Sequence, residues 1–133
     1  MIVVDTNVIA YALLPAAEQG AARRALARDP EWAAPVLWRS EFRNVLALNV
    51  RHRRLTLVEA ISLTSQADTL LVGREYDVDP GHVLTLAAQS GRTAYDCEFV
   101  AVAQSLGVRL VTSDRQVLAS FPDVAVALRD YAA

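Results

Sequence analysis

Asp5, Glu41, Asp96 and Asp114 are four carboxylates whose sequence surroundings suit chemistry. Asp5 directly follows the apolar run Met1-Ile2-Val3-Val4, and Asp114 follows Leu110-Val111-Thr112. Short β-branched runs of this kind read as buried strands, and ligands gather beyond the carboxyl ends of strands in open parallel sheets. Both positions also suit a helix N-cap, so either acid could be a cap alone. Glu41 resists that reading. It falls one turn inside a helix that opens at Trp38, with Trp38 at i−3, Val45 at i+4 and Leu48 at i+7. It therefore borders the apolar face, where a carboxylate must find a cation or a hydrogen-bond partner. An ion pair with an arginine is the competing reading. Asp96, with Phe99, Val100 and Ala103 at i+3, i+4 and i+7, has a similar setting, though an acid in a first helical turn also complements the helix dipole.

If the four acids converge, they require compensating cations. Two carboxylates about 4 Å apart repel by roughly 4 kcal/mol at an effective dielectric near 20. Hard oxygen donors without a nearby histidine favour Mg²⁺, with Mn²⁺ as its substitute, over zinc. Such ions suit reactions at phosphate.

The elements that would position these acids alternate along the chain. A strand over Ile2–Val4 is followed by a helix over 8–14, ended near Pro15, and a second helix over 16–28. Residues 33–36 form a short strand or an extended approach to the helix that starts at Trp38 and runs to about Arg53. Thr56 caps the next helix, with Glu59 at the capping-box position, and that helix runs to about Val72. A short strand is expected over 75–79. Pro80 opens a helix that Gly91 closes, and Thr93 or Tyr95 opens another that Gly107 ends. A buried strand over 108–112, a helix over 114–120 and a last strand over 124–126 complete the chain. Strands alternating with helices indicate an α/β fold with a parallel sheet, and 133 residues suit a single domain spanning 1–133.

Absences narrow the function. All 13 basic residues are arginine. The lack of lysine excludes P-loop and Schiff-base chemistry, and also the receiver and haloacid-dehalogenase-type sites, which hold a phosphoryl group with lysine. No G-x-G-x-x-G frame exists, and His52, His82 and Cys97 are too scattered for a zinc site. Cys97, the only cysteine, has no disulfide partner and is read as a packing residue. The absence of an apolar run of about 18 residues, or of a basic leader before Asp5, leads us to expect a soluble, cytoplasmic protein with no membrane association.

Four local words complete the reading: Val3-Val4-Asp5-Thr6-Asn7, Ser40-Glu41-Phe42-Arg43-Asn44-Val45-Leu46, Tyr95-Asp96-Cys97-Glu98-Phe99-Val100-Ala101 and Leu110-Val111-Thr112-Ser113-Asp114. In this order they resemble the four blocks of the PIN-domain ribonucleases, and among these the VapC-type toxins of bacterial toxin–antitoxin systems. The resemblance implies a PIN-like fold, a parallel sheet of about five strands sandwiched by helices. It also implies a divalent-metal-dependent endoribonuclease, in which water attacks the RNA phosphodiester in line and leaves 3′-hydroxyl and 5′-phosphate ends. Asp5 and Asp96 would be the principal metal ligands. Glu41 would be a further ligand or would orient the water, and Asp114 would act through a water or a second metal. Thr6, Asn7 and Thr112 are similar to the small polar residues that steady the family's acids by hydrogen bonds. A cognate antitoxin and a homodimer are implied as partners.

The surface supplies less. The net charge is −2, and neutralising the four acids would turn it to +2, so an RNA substrate is compatible with it. Arg51-His52-Arg53-Arg54 is either a solvated helix end or, aided by Arg23, Arg24 and Arg43, a grip on RNA phosphates. Trp32 and Trp38 could stack on bases, although Trp38 lies on a core-facing stripe. Glu98, two residues past Asp96, is expected to face away from the same metal. The alternative to an enzyme is a catalytically silent PIN-like RNA- or protein-binding module.

Overall fold

The computed structural model describes residues 1–133. The apolar opening run forms β1 (Ile2–Val4), buried throughout. Asp5 stops it and caps α1 (Thr6–Leu13), which starts two residues earlier than expected because Asp5 itself supplies the cap. The second helix, α2 (Gln19–Arg28), begins three residues later than expected. β2 (Trp32–Pro35) is a full strand, paired on both edges.

The third helix, α3 (Trp38–Arg51), ends two residues short of the expected Arg53, which instead takes a left-handed backbone (φ 58°) in the turn. Thr56 and Glu59 form the expected capping box on α4 (Leu57–Leu71). β3 (Glu75–Tyr76) is only two residues long. Pro80 opens α5 (Pro80–Ser90), Thr93 caps α6 (Ala94–Leu106), and the helices close on Gly91 and Gly107 at φ 72° and 66°, where a Cβ would be strained. β4 (Leu110–Thr112), α7 (Arg115–Ser120) and β5 (Ala125–Ala127) follow, and a short α8 (Leu128–Tyr131) that the sequence pattern did not disclose ends the fold.

The five strands form one sheet of order β3-β2-β1-β4-β5, and every pairing is parallel. Val3 lies between Ala33 and Leu110, so the opening run is the centre of the sheet. Helix α6 packs across β1 and β2 with α5 behind it, whereas α1 to α4 pack on one another and meet the sheet through α1 and α4. The architecture is thus the expected five-stranded parallel sheet flanked by helices. Val3, Val4, Val8, Ile9, Val100 and Val111 are wholly shielded in the main core, and Val83, Cys97 and Ala101 form a smaller cluster between α5 and α6. Trp32 and Trp38 are 0% and 1% exposed, which corrects the idea that either stacks on a nucleic-acid base. No helix is long and apolar enough to cross a membrane.

One topological feature locates the site. From β1 the chain winds outward through β2 and β3, then returns to place β4 on the other side of β1. The order therefore reverses between β1 and β4, and in open α/β sheets the crevice opens at the carboxyl ends of the strands at such a point. Asp5 and Thr112-Ser113-Asp114 are the residues that leave those two strands.

Candidate active site

Asp5, Glu41, Asp96 and Asp114 all line one cleft of about 250 Å³, together with Thr6, Asn7, Asn44 and Thr112. Asp5 and Asp114 arrive from the strand ends. Both are also helix caps: Asp5 Oδ1 accepts from the Val8 N–H at 2.9 Å, and Asp114 Oδ1 accepts from the Gln116 and Val117 N–H groups at 2.8 and 3.1 Å. Capping uses one oxygen of each carboxylate, so it fixes the side chain and still leaves the group on the cleft wall. The capping and cleft readings of these two acids are therefore compatible.

Thr112 ties the two strand ends together. Its hydroxyl donates to Asp5 Oδ2 and accepts from the Asp114 N–H at 3.0 Å. It is 1% exposed, so the pair of contacts cannot relax into solvent.

Glu41 and Asp96 arrive from helices on either side. Glu41 sits in the first turn of α3 and has no arginine partner; the Thr6 hydroxyl donates to its Oε1 at 2.7 Å. This corrects the ion-pair alternative. Asp96 sits in the first turn of α6, whose cap is Thr93: the Thr93 hydroxyl oxygen accepts the Asp96 N–H at 3.0 Å. The Asp96 carboxylate is thereby released from capping.

The electrostatics follow from burial without a counter-charge. Desolvation pushes the Asp5 carboxyl up to about 6, with the Thr112 hydrogen bond working in the opposite direction and the charges of Asp114 and Glu41 adding to the rise. Glu41 is raised above the usual carboxylate range first by burial and then by the charge of Asp96, against the Thr6 hydrogen bond. No arginine lines the cleft. An all-oxygen, anionic donor set of this kind fits a hard divalent cation. No three of the acids stand together at the spacing of a ready-made metal cage.

Some residues behave differently from expectation. Asn7 lines the cleft without a hydrogen bond to any of the acids, unlike Thr6 and Thr112. Arg43, Arg51, Arg53 and Arg54 stay outside the cleft. Arg43 and Arg51 line the groove between α3 and α4, and Arg51 is roughly 15 Å along the helix axis from Glu41 at 1.5 Å per residue. Glu98 is outside the cleft lining, yet the charge of Glu41 adds to the rise in its pKa that burial begins. Asn44 is an addition. Its place three residues after Glu41 on α3 was the available signal, since i and i+3 share a helix face.

Comparisons with known proteins agree with this architecture. Ribonuclease VapC3 from Pyrobaculum aerophilum is 28% identical over 134 residues, covering 91% of this chain and 95% of that protein. The crystal structure of PAE2754 from Pyrobaculum aerophilum superposes with a TM-score of 0.78 at 23% identity, over 98% of this chain and 92% of that one, which is a likeness of fold. The model of the PIN domain matches residues 2–126, a stretch that holds all five strands nearly to the end of β5 and all four cleft acids. With its sheet order reversing at the acid-lined crevice and that match spanning nearly its whole length, the chain belongs to the PIN domain family.

Proposed function

We propose that this chain is a divalent-metal-dependent endoribonuclease and the toxin of a type II toxin–antitoxin pair. The observation that carries the reading is the convergence of four carboxylates, without a basic partner, at the crevice between β1 and β4. Membership of the PIN domain family and the likeness to a protein named as a ribonuclease of the VapC group support it.

Asp5 and Asp96 would hold the cation, Mg²⁺ or in its place Mn²⁺, with Glu41 as a further ligand or as the group that orients water. Asp114 would act through a water or a second cation. When bound, the cation supplies the positive charge that offsets these acids and stabilises charge developing on the phosphate oxygens. Thr112 donates to Asp5 Oδ2 while the Val8 N–H occupies Oδ1, and Thr6 donates to Glu41 Oε1; these contacts hold both side chains at the cleft. Water attacks the phosphorus in line with the ribose 3′ oxygen. The P–O3′ bond breaks, the departing oxygen takes a proton, and the ends are 3′-hydroxyl and 5′-phosphate. A cognate antitoxin that restrains the activity and a homodimeric state belong to the same reading.

One other reading, a catalytically silent RNA- or protein-binding module, is favoured by the lack of any three side chains grouped as a ready-made metal site. Incubation of total cellular RNA with the purified protein separates the two, with Mg²⁺, with EDTA, and with folded Asp5→Asn and Asp96→Asn variants. Cleavage that yields 5′-phosphate ends only with metal, and is absent in both variants, is expected. Folded, metal-supplied protein that binds RNA but cuts none would leave the silent module standing.

A further inference from the structure

A second depression lies across the β4–α7 connection from the acid cleft. It has a volume of about 580 Å³, and Ser113, Arg115 and Arg129 are part of its polar wall over a floor that includes Leu118 and Leu128. Residues of the connection alternate between the two sites: Thr112 and Asp114 line the acid cleft, while Ser113 and Arg115 line this groove. Successive side chains of extended backbone point to opposite sides, so one thickness of main chain separates the two.

Neither guanidinium is committed elsewhere. Arg115 is exposed and enters no ion pair, and Arg129 is 89% exposed with only a 3.9 Å approach to Asp130. Glu18 is the one acid in the lining, against two arginines. The acid cleft has the opposite character, so a polyanion entering it needs cationic contact close by. Arg51 and its neighbours, roughly 15 Å or more along α3 from Glu41, are too far to serve the adjacent phosphate.

We propose that the groove of Ser113, Arg115 and Arg129 holds a phosphodiester flanking the scissile one on the same single RNA strand. The arginine forks match phosphate oxygens bidentately, the Ser113 hydroxyl adds a donor, and the apolar floor takes the face of a ribose or base. This assignment rests on the nuclease reading above and gives the strand a direction, running from the β1–β4 crevice over β4 toward β5.

The test measures binding of a labelled single-stranded RNA of mixed sequence to the full chain in an Asp96→Asn background, across a series of salt concentrations. Arg115→Ala with Arg129→Ala is expected to weaken binding about 10- to 100-fold. It should also flatten the slope of log K against log salt by about 0.7, the change expected when contact with one phosphate of a single strand is lost. Arg53→Ala with Arg54→Ala should change affinity less than the groove pair does. In the otherwise native chain, the groove pair should raise KM for RNA cleavage and leave kcat nearly unchanged, as loss of uniform binding requires. Arg115→Lys with Arg129→Lys should restore most of the salt slope. Unchanged affinity and slope in the groove pair, or a larger loss from Arg53 and Arg54, would overturn the assignment while cleavage by the native chain left the nuclease reading intact. Loss of binding to polyglutamate without loss of binding to RNA would overturn it in favour of an acidic protein partner. A native chain that neither cuts nor binds RNA would overturn both readings.

Discussion

Two carboxylate clusters flank helix α3, and their states are opposite. At its outer side Glu75 accepts from Arg39 Nε and Trp38 Nε1, both at 2.6 Å, and from the second Arg39 terminal nitrogen at 2.8 Å, while Asp68 takes the remaining Arg39 arm at 2.8 Å. The Arg39 hydrogen bond holds the Glu75 carboxyl below its ordinary value. At the inner side Glu41 meets a threonine and other acids, and its pKa moves up. The outer cluster is complete in itself and fastens β3 and α4 to the start of α3. The inner cluster has no basic side chain among the residues that line it. Glutamates 34 residues apart in the chain thus sit in opposite electrostatic settings, and what distinguishes them is whether an arginine is within reach.

The sharpest way to break this contrast is to neutralise one acid in each cluster. Asp96→Asn should lower RNA cleavage by more than about 100-fold with the fold retained, because even residues that only support a metal ligand commonly cost about 10–100-fold. Glu75→Ala should do the reverse. It strands the Trp38 indole N–H on a residue 1% exposed, so urea unfolding should register a loss of about 1–3 kcal/mol, with cleavage per folded molecule close to that of the parent. Comparable losses of activity in both variants would erase the division between the clusters.

The pH dependence of stability should divide along the same line. Asp5 has a folded pKa of about 6 against an ordinary 3.8, so the folded state binds its proton more tightly. Its contribution to stability is therefore greatest below about pH 4 and is lost as pH rises through about 6. Asp5 keeps an edge open to the cleft, and with solvent screening the change amounts to about 1–2 kcal/mol. Asp5→Asn, which retains the cap, should remove that fall and stabilise the protein at pH 7. Glu75 has the opposite sign: its pKa is lowered, so its contribution is present above its ordinary value and is lost as pH falls. Chemical denaturation from about pH 2 to pH 8 measures both; equal slopes for the parent and Asp5→Asn would remove the case for a strained inner cluster.

The smallest effect expected is at Thr6. Thr6→Val keeps the volume but deletes the donor to Glu41, so cleavage should fall about tenfold and the pH at which activity rises should move upward. A change confined to stability would make Thr6 a packing residue instead.

Much of this arrangement was legible beforehand. The short β-branched runs ahead of Asp5 and Asp114 read as buried strands, and the caps at Thr56, Gly91 and Gly107 and the helix-opening Pro80 stood where local chemistry places them. Glu41 was conspicuous because a carboxylate on an apolar stripe must be answered by something. The boundary of α3 was less legible, since Arg51-His52-Arg53-Arg54 has no helix breaker and the left-handed Arg53 is set by the turn into α4. Helix α8 gave no periodic signal in four residues. It is held in place from afar, where Arg24 and Arg28 donate to the Ala132 and Tyr131 carbonyls.

What the sequence determined by itself, then, was local: which segments are strands or helices, which acids stand at their ends, and that no lysine, zinc set or glycine loop competes for the chemistry. Tertiary structure decided which groups meet. Strand order placed β4 beside β1 and so brought Asp114 to Asp5, tied through Thr112. It also gave Glu75 an arginine and left Glu41 with a threonine. Local pattern reflects interactions within a few residues, whereas the charge state of a buried carboxylate depends on partners tens of residues away that only the folded chain brings within a few ångströms.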